Sequence, residues 1–392
     1  MKRLSFGLVG AVAAMFAATG SFAQQPVKIG LILPYSGQFA DTATQMDNAI
    51  KLYVKQHGES AGGRKIEIIR KDSGGIAPDV AKRLAQELVV RDKVDVLTGL
   101  ILTPNALAIA DVSAEAKKFT VIMNAATSII TTKSPYMARV SVTTPMLNES
   151  LGTWAAKGGG VKRVFTMVSD YGPGHDAEEG FQRGFKEAGG QIVGSVRFPV
   201  ANPDFAAFVQ RARDTNPDGI FAWVPGGVQP AAIGKAMGER GIDPKKMRVM
   251  GQDALASDEA LATLGDAALG IVTVSHYDHN LSNKLNRAFV AAYNADYKRN
   301  PDFFAIGGWD GMHLIYEVLK KTGGKTDGEA MIGAAKGMKW DSPRGPMSID
   351  PATRDVIEDV YIRRVERVGG KLVNVEFDTI RGVKDPVKAR MK

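Results

Sequence analysis

Short apolar runs rich in β-branched residues alternate with helix-length segments along almost the whole chain, and this alternation restricts the possible folds most. Val27–Leu33, Lys65–Ile69, Val94–Leu97 and Phe119–Met123 read as strands. Between them Thr44–Gln56, Pro78–Arg91 and Pro104–Ala116 carry the apolar spacing of helices. A second series places strands at Val164–Val168, Gln191–Val196, Gly219–Trp223, Arg248–Met250 and Leu269–Val274. Helices at Asp176–Ala188, Phe205–Asp214, Pro230–Arg240 and Asp258–Leu264 separate them. Repeated strand–helix–strand units imply parallel sheets covered on both faces, and continuously apolar strands fit that burial. Two series predict an α/β protein of two doubly wound parallel-sheet lobes. Helices over Asn283–Tyr297 and Phe303–Lys321, then a hairpin (Asp355–Val368, Lys371–Val375) around Gly369-Gly370, are expected to return to those lobes.

Length agrees, since 392 residues allow about two to three domains. The chain has no cysteine, which excludes disulfides, thiolate zinc sites, cysteine-ligated clusters and cysteine nucleophiles. Met1-Lys2-Arg3, the apolar Leu4–Gly20 and the small residues of Ser21-Phe22-Ala23 read as a secretory signal peptide over residues 1–23. The expected location is therefore the periplasm. Loss of Lys2 and Arg3 takes the net charge from +8 to +6. The remaining cations are dispersed, and Lys245-Lys246 and Arg363-Arg364 sit among acids. A solvated surface is the better reading, and no nucleic-acid partner is expected.

In open parallel sheets ligands bind beyond the carboxyl ends of strands, so the strand-to-helix loops carry the chemistry. Thr103-Pro104 reads as an N-cap followed by proline at the first helical position, a place that favours an anion. Ala125-Ala126-Thr127 puts a second hydroxyl on the next loop. Together they suggest a neutral carboxylate clamp, although Thr103 taken alone reads first as an ordinary cap. Gly172-Pro173-Gly174 fits a dinucleotide pattern formally, but proline separates the glycines and no ribose-binding acid follows a clear second strand. His276-Tyr277-Asp278-His279 offers two metal ligands without an obvious third, and a solvated loop is expected there. No hydrolase elbow, zincin motif or phosphate loop occurs. No metal, cofactor or catalytic residue is expected.

The order and spacing of several such loops resemble a known family. Val27–Ser36-Gly37, the Lys65–Asp72 strand, Gly99 with a hydroxyl residue after it, Ala125-Ala126-Thr127, Tyr171-Gly172-Pro173-Gly174, Gly226-Gly227 and Met250-Gly251-Gln252-Asp253 carry the likeness. The mature chain resembles the periplasmic substrate-binding proteins of branched-chain amino acid ABC transporters, the leucine/isoleucine/valine-binding group. The resemblance implies a type I periplasmic binding fold, two lobes joined by three crossovers with ligand in the cleft. It divides the chain into lobe 1 (26–144 and 275–347) and lobe 2 (145–274 and 348–392). It also implies that Thr103 and Thr127 hold a ligand carboxylate, that the Ala125 carbonyl and Asp253 receive an ammonium, and that Tyr171 and Trp309 line the pocket.

Three positions depart from the family pattern. Thr42 and Val228 stand where aromatics are common, and Asp253 replaces a longer glutamate. A wider pocket, with Trp309 and either Phe39 or Trp223 as aromatic walls, suits a planar ring. The expected ligand is a small carboxylate: an aromatic acid such as a hydroxybenzoate or phenylpropanoid acid, or a branched-chain or hydrophobic amino acid. The expected role is capture and delivery to an ABC permease in the inner membrane, by a monomer and without enzymatic turnover. A ligand-sensing module for a receptor is the alternative.

Overall fold

The computed structural model describes residues 25–391, so the expected signal peptide lies outside the described residues. The first lobe is built from β1 (Val27–Leu33), α1 (Ala40–His57), β2 (Ser60–Ala61), β3 (Arg64–Asp72), α2 (Pro78–Val90), β4 (Val96–Gly99), α3 (Thr103–Glu115), β5 (Phe119–Ile122) and β6 (Met137–Arg139). The second starts with α4 (Thr144–Lys157), β7 (Arg163–Ser169), α5 (Gly172–Glu187), β8 (Gln191–Phe198), α6 (Phe205–Asp214), β9 (Gly219–Trp223), α7 (Gln229–Glu239), β10 (Arg248–Gln252), α8 (Asp258–Leu264) and β11 (Val272–Ser275). The chain then returns with α9 (Lys284–Tyr297), α10 (Phe303–Lys321) and α11 (Gly328–Ala335). It ends with β12 (Lys339–Ser342), β13 (Gly345–Ile349), β14 (Val356–Val368), β15 (Lys371–Val383) and α12 (Pro386–Arg390).

The two sheets run β2-β3-β1-β4-β5-β6 and β12-β13-β14-β11-β10-β9-β7-β8, with β15 on β14. The strands of each doubly wound series pair in parallel, for example β1 with β3 and β4, and β9 with β7 and β10. Helices cover both faces. In the first lobe one side of the sheet packs Met46, Ile50, Met312 and Ile315, while the other packs Leu84, Leu88, Ile109 and Ala110. The chain passes between the sheets after β6, after β11 and after α11, which gives the three crossovers.

Two expectations need correction. Residues 339–347 were assigned to lobe 1, but the β12–β13 hairpin joins the second sheet, because β13 pairs antiparallel with β14 (Met347 with Glu358). The second arm of the terminal hairpin extends to Val383, eight residues beyond Val375. Its exposed, polar stretch hid the strand from an apolar-run reading.

Candidate functional site

The loops after β4 and β5 are tied to each other before they meet any ligand. Gly99 turns with φ +96°, and a Cβ there would lie 2.5 Å from the Ile32 carbonyl, so only glycine fits. Leu100 follows at φ 56°, a left-handed strain that points its carbonyl at the Ala125 N–H (2.8 Å). The Thr103 hydroxyl then donates to Thr127 Oγ1 at 3.2 Å. Helix α3 begins one residue earlier than expected. Leu102 is the cap, Thr103 is the first helical residue, and its side chain makes no capping bond. The hydroxyl is thus directed to the neighbouring loop, not back to its own helix. Arg139 is fully buried behind this pair and donates to the Thr127 carbonyl at 2.8 Å.

These residues border a cleft between the lobes with about 620 Å³ of space, its solvent-open mouth included. Phe39, Phe303 and Phe304 face it from the first lobe, Tyr171 and Trp223 from the second. The Tyr171 and Trp223 rings lie 5.7 Å apart and inclined at 50°. No lysine or arginine is among its lining residues. Asp253 is among the lining residues. Its Oδ1 accepts the Ala254 N–H (2.9 Å) and its Oδ2 the Ser275 hydroxyl (3.1 Å). Burial pushes its carboxyl up to about 6, against the pull of Arg363 and these hydrogen bonds.

The lobes are closed around this space. A Cβ on Gly172 of α5 would lie 3.3 Å from Thr127 Oγ1, and one on Gly227, at φ +83°, would lie 2.6 Å from the Gln38 carbonyl. The Ser128 N–H donates to Asp176 across the cleft at 3.1 Å, and burial raises the Asp176 carboxyl to about 6. Arg299 holds Asp41 of α1 with two bonds (2.6 and 3.0 Å) and Glu259 of α8 with a third (3.0 Å).

The structure brings Thr103, Tyr171, Asp253 and Phe39 onto one cleft, with Thr127 bonded directly behind Thr103. The other expected residues lie elsewhere. Ala125 is buried behind the lining; Ala126 stands there in its place, and its carbonyl already accepts the Thr144 N–H (2.8 Å). Thr42 is buried and donates to the Phe39 carbonyl at 2.7 Å. Val228 is 68% exposed at the start of α7, while Pro225 and Gly226 reach the cleft. Trp309 packs between Tyr53 and Phe289, each 4.9 Å away, because five residues after Phe304 a helix has turned about 140° from it. His276 was expected in a solvated loop. It is buried, with no hydrogen-bond partner on either ring nitrogen although Nδ1 lies 3.6 Å from Asp253 Oδ2, and burial lowers its pKa well below the usual range. Sequence reasoning missed Phe303, Phe304 and Gln252. The first two had a signal, an aromatic pair in the first turn of a helix that had been read correctly.

The family model described as periplasmic binding protein matches residues 26–371. A Leu/Ile/Val-binding protein homolog of Brucella melitensis is 38% identical over 374 residues, 94% of this chain and 95% of its own. The solute-binding protein of an ABC transporter from Rhodopseudomonas palustris BisB5, solved in complex with 3,4-dihydroxybenzoic acid, superposes with a TM-score of 0.89. It is 50% identical, with 93% of this chain and 99% of that one covered. A second R. palustris solute-binding protein, from strain HaA2 in complex with p-hydroxybenzoic acid, gives a TM-score of 0.90 at 38% identity. It covers 93% of this chain and 100% of its own.

Proposed function

The chain belongs to the periplasmic binding protein family, and on that premise we propose that it captures a hydroxylated aromatic carboxylate and delivers it to the permease of an ABC importer. The observation that carries this reading is the lining of the cleft. Five aromatic side chains line a space that also meets hydroxyls, a helix N-terminus and a buried acid. A benzoate ring lies between aromatic walls with offset or edge contacts, each adding about 0.5–1.5 kcal/mol beyond burial. Its carboxylate takes the Thr103–Thr127 end, where neutral donors and the α3 dipole favour an anion. The two R. palustris relatives that bind hydroxybenzoates support the same class.

An amino acid is the second reading, because Asp253 occupies the place where an ammonium is expected. The acceptors around it are few: Ala125 is buried and not among the lining residues, and the Ala126 carbonyl is engaged. An α-ammonium with three donors is left under-satisfied. The role includes no turnover. The mature chain acts as a monomer in the periplasm after loss of residues 1–23.

Direct calorimetric titration with 4-hydroxybenzoate, 3,4-dihydroxybenzoate and leucine tests the reading. Tight binding of either aromatic acid, recovered unchanged by mass spectrometry, is expected. Tight leucine binding with no response to an aromatic acid overturns it.

A further inference from the structure

Gln252 ends β10 beside Trp223, which ends the neighbouring β9, and its side chain lines the cleft next to Asp253. Its amide has one possible orientation. An indole N–H can only donate, and Trp223 Nε1 lies 2.8 Å from Gln252 Oε1. Asn148 Nδ2 donates to the same oxygen at 3.1 Å, and that nitrogen is fixed in turn by the Thr144 carbonyl at 2.8 Å. With the oxygen held by two donors, the Gln252 NH₂ is left for the Asp253 carboxyl and the cleft. A locked donor therefore stands beside a buried acceptor.

This pair distinguishes chemical groups. A hydroxyl has one proton to give and lone pairs to receive, so it satisfies both residues at once. An ammonium has protons only, and an arylamine's lone pair is delocalised into its ring, so either sets a donor against the Gln252 NH₂. Leaving such a group unpaired in the closed cleft is costlier than losing an ordinary hydrogen bond. We propose that Gln252 is a specificity-determining residue: it donates to the ring-hydroxyl oxygen of the ligand while that hydroxyl donates to Asp253, selecting hydroxyaromatic over amino-bearing acids. The inference rests on the reading that an aromatic carboxylate occupies the cleft, and adds which substituent is read and by which atoms.

The test uses three probes of one shape: benzoate, 4-hydroxybenzoate and 4-aminobenzoate. Calorimetry on the full mature chain gives the ratios of their dissociation constants. The wild-type protein should prefer the hydroxyl over the amino compound by about tenfold or more. Gln252→Glu keeps acceptors for Trp223 and Asn148 but removes the donor. It should abolish or invert that preference while benzoate affinity changes least. Trp223→Phe releases the Oε1 anchor and lets the amide turn, so it should also narrow the ratio, independently of any effect of the new charge. Thermal melts confirm that each variant is folded. Ratios unchanged from wild type in both variants overturn the role of Gln252 while leaving the aromatic reading intact. Absence of binding by all three probes to the wild-type protein overturns the aromatic reading and this inference with it.

Discussion

Replacing Thr103 by valine isolates the carboxylate clamp. Valine keeps the branched shape and removes only the hydroxyl. In the ligand-free protein the loss is one neutral hydrogen bond to Thr127 at 3.2 Å, about 1 kcal/mol of stability. With ligand bound the loss is larger. Thr103 is 3% exposed and no cation is among the residues lining the cleft, so neutral donors and the helix N-terminus must balance the anion. On binding, the Thr103 proton turns from Thr127 to the carboxylate, and a hydrogen bond to a charged group contributes about 1.5–3 kcal/mol, roughly ten- to 150-fold in affinity. Calorimetric titration of Thr103→Val with 4-hydroxybenzoate should show a loss in that range, and Thr103→Ser should recover most of it. A folded Thr103→Val protein with wild-type affinity would refute the clamp, and with it the orientation of the ligand in the cleft.

The closed lobes make three further outcomes measurable. Gly227→Ala puts a Cβ against the Gln38 carbonyl across the cleft, so affinity should fall about tenfold or more; solution scattering of the ligand-saturated variant should remain more open than wild type, and identical curves and affinity would remove Gly227 as a closure contact. Burial and the neighbouring Asp41 raise the Glu259 carboxyl to about 6 in the closed form, so closure takes up a proton. The favourable contribution is complete below the ordinary glutamate range and is lost as pH rises through about 6. The Glu259 side chain is 54% exposed, so the gain in affinity from pH 7.5 to 5.5 should be only about two- to threefold, and Glu259→Gln should remove that increment; equal slopes in both proteins refute the coupling. Trp309→Phe should lower the melting temperature while changing ligand affinity by less than about twofold, and a large affinity loss would return Trp309 to the site.

What the sequence made legible follows from burial. Strands covered on both faces, such as Val27–Leu33 and Gly219–Trp223, are continuous apolar runs, and their bounds agree with the structure. The strand Lys371–Val383 is half exposed and carries acids and a glycine, so its local pattern resembles a loop; pairing with β14 decides its conformation. The site divides in the same way. Thr103 and Thr127 were legible because neighbouring parallel strands bring successive strand-end loops together. The aromatic wall was misplaced by five residues, since helix existence can be read without knowing which face meets the other lobe. Gln252 was legible as part of the Met250–Asp253 loop but not as a site residue. A glutamine after a strand is ordinary, and its donor character is imposed by Trp223 on the next strand and Asn148 on a distant helix. Ligand discrimination in this cleft therefore depends on the orientation of one amide, a property that exists only once three separate segments of the chain have packed together.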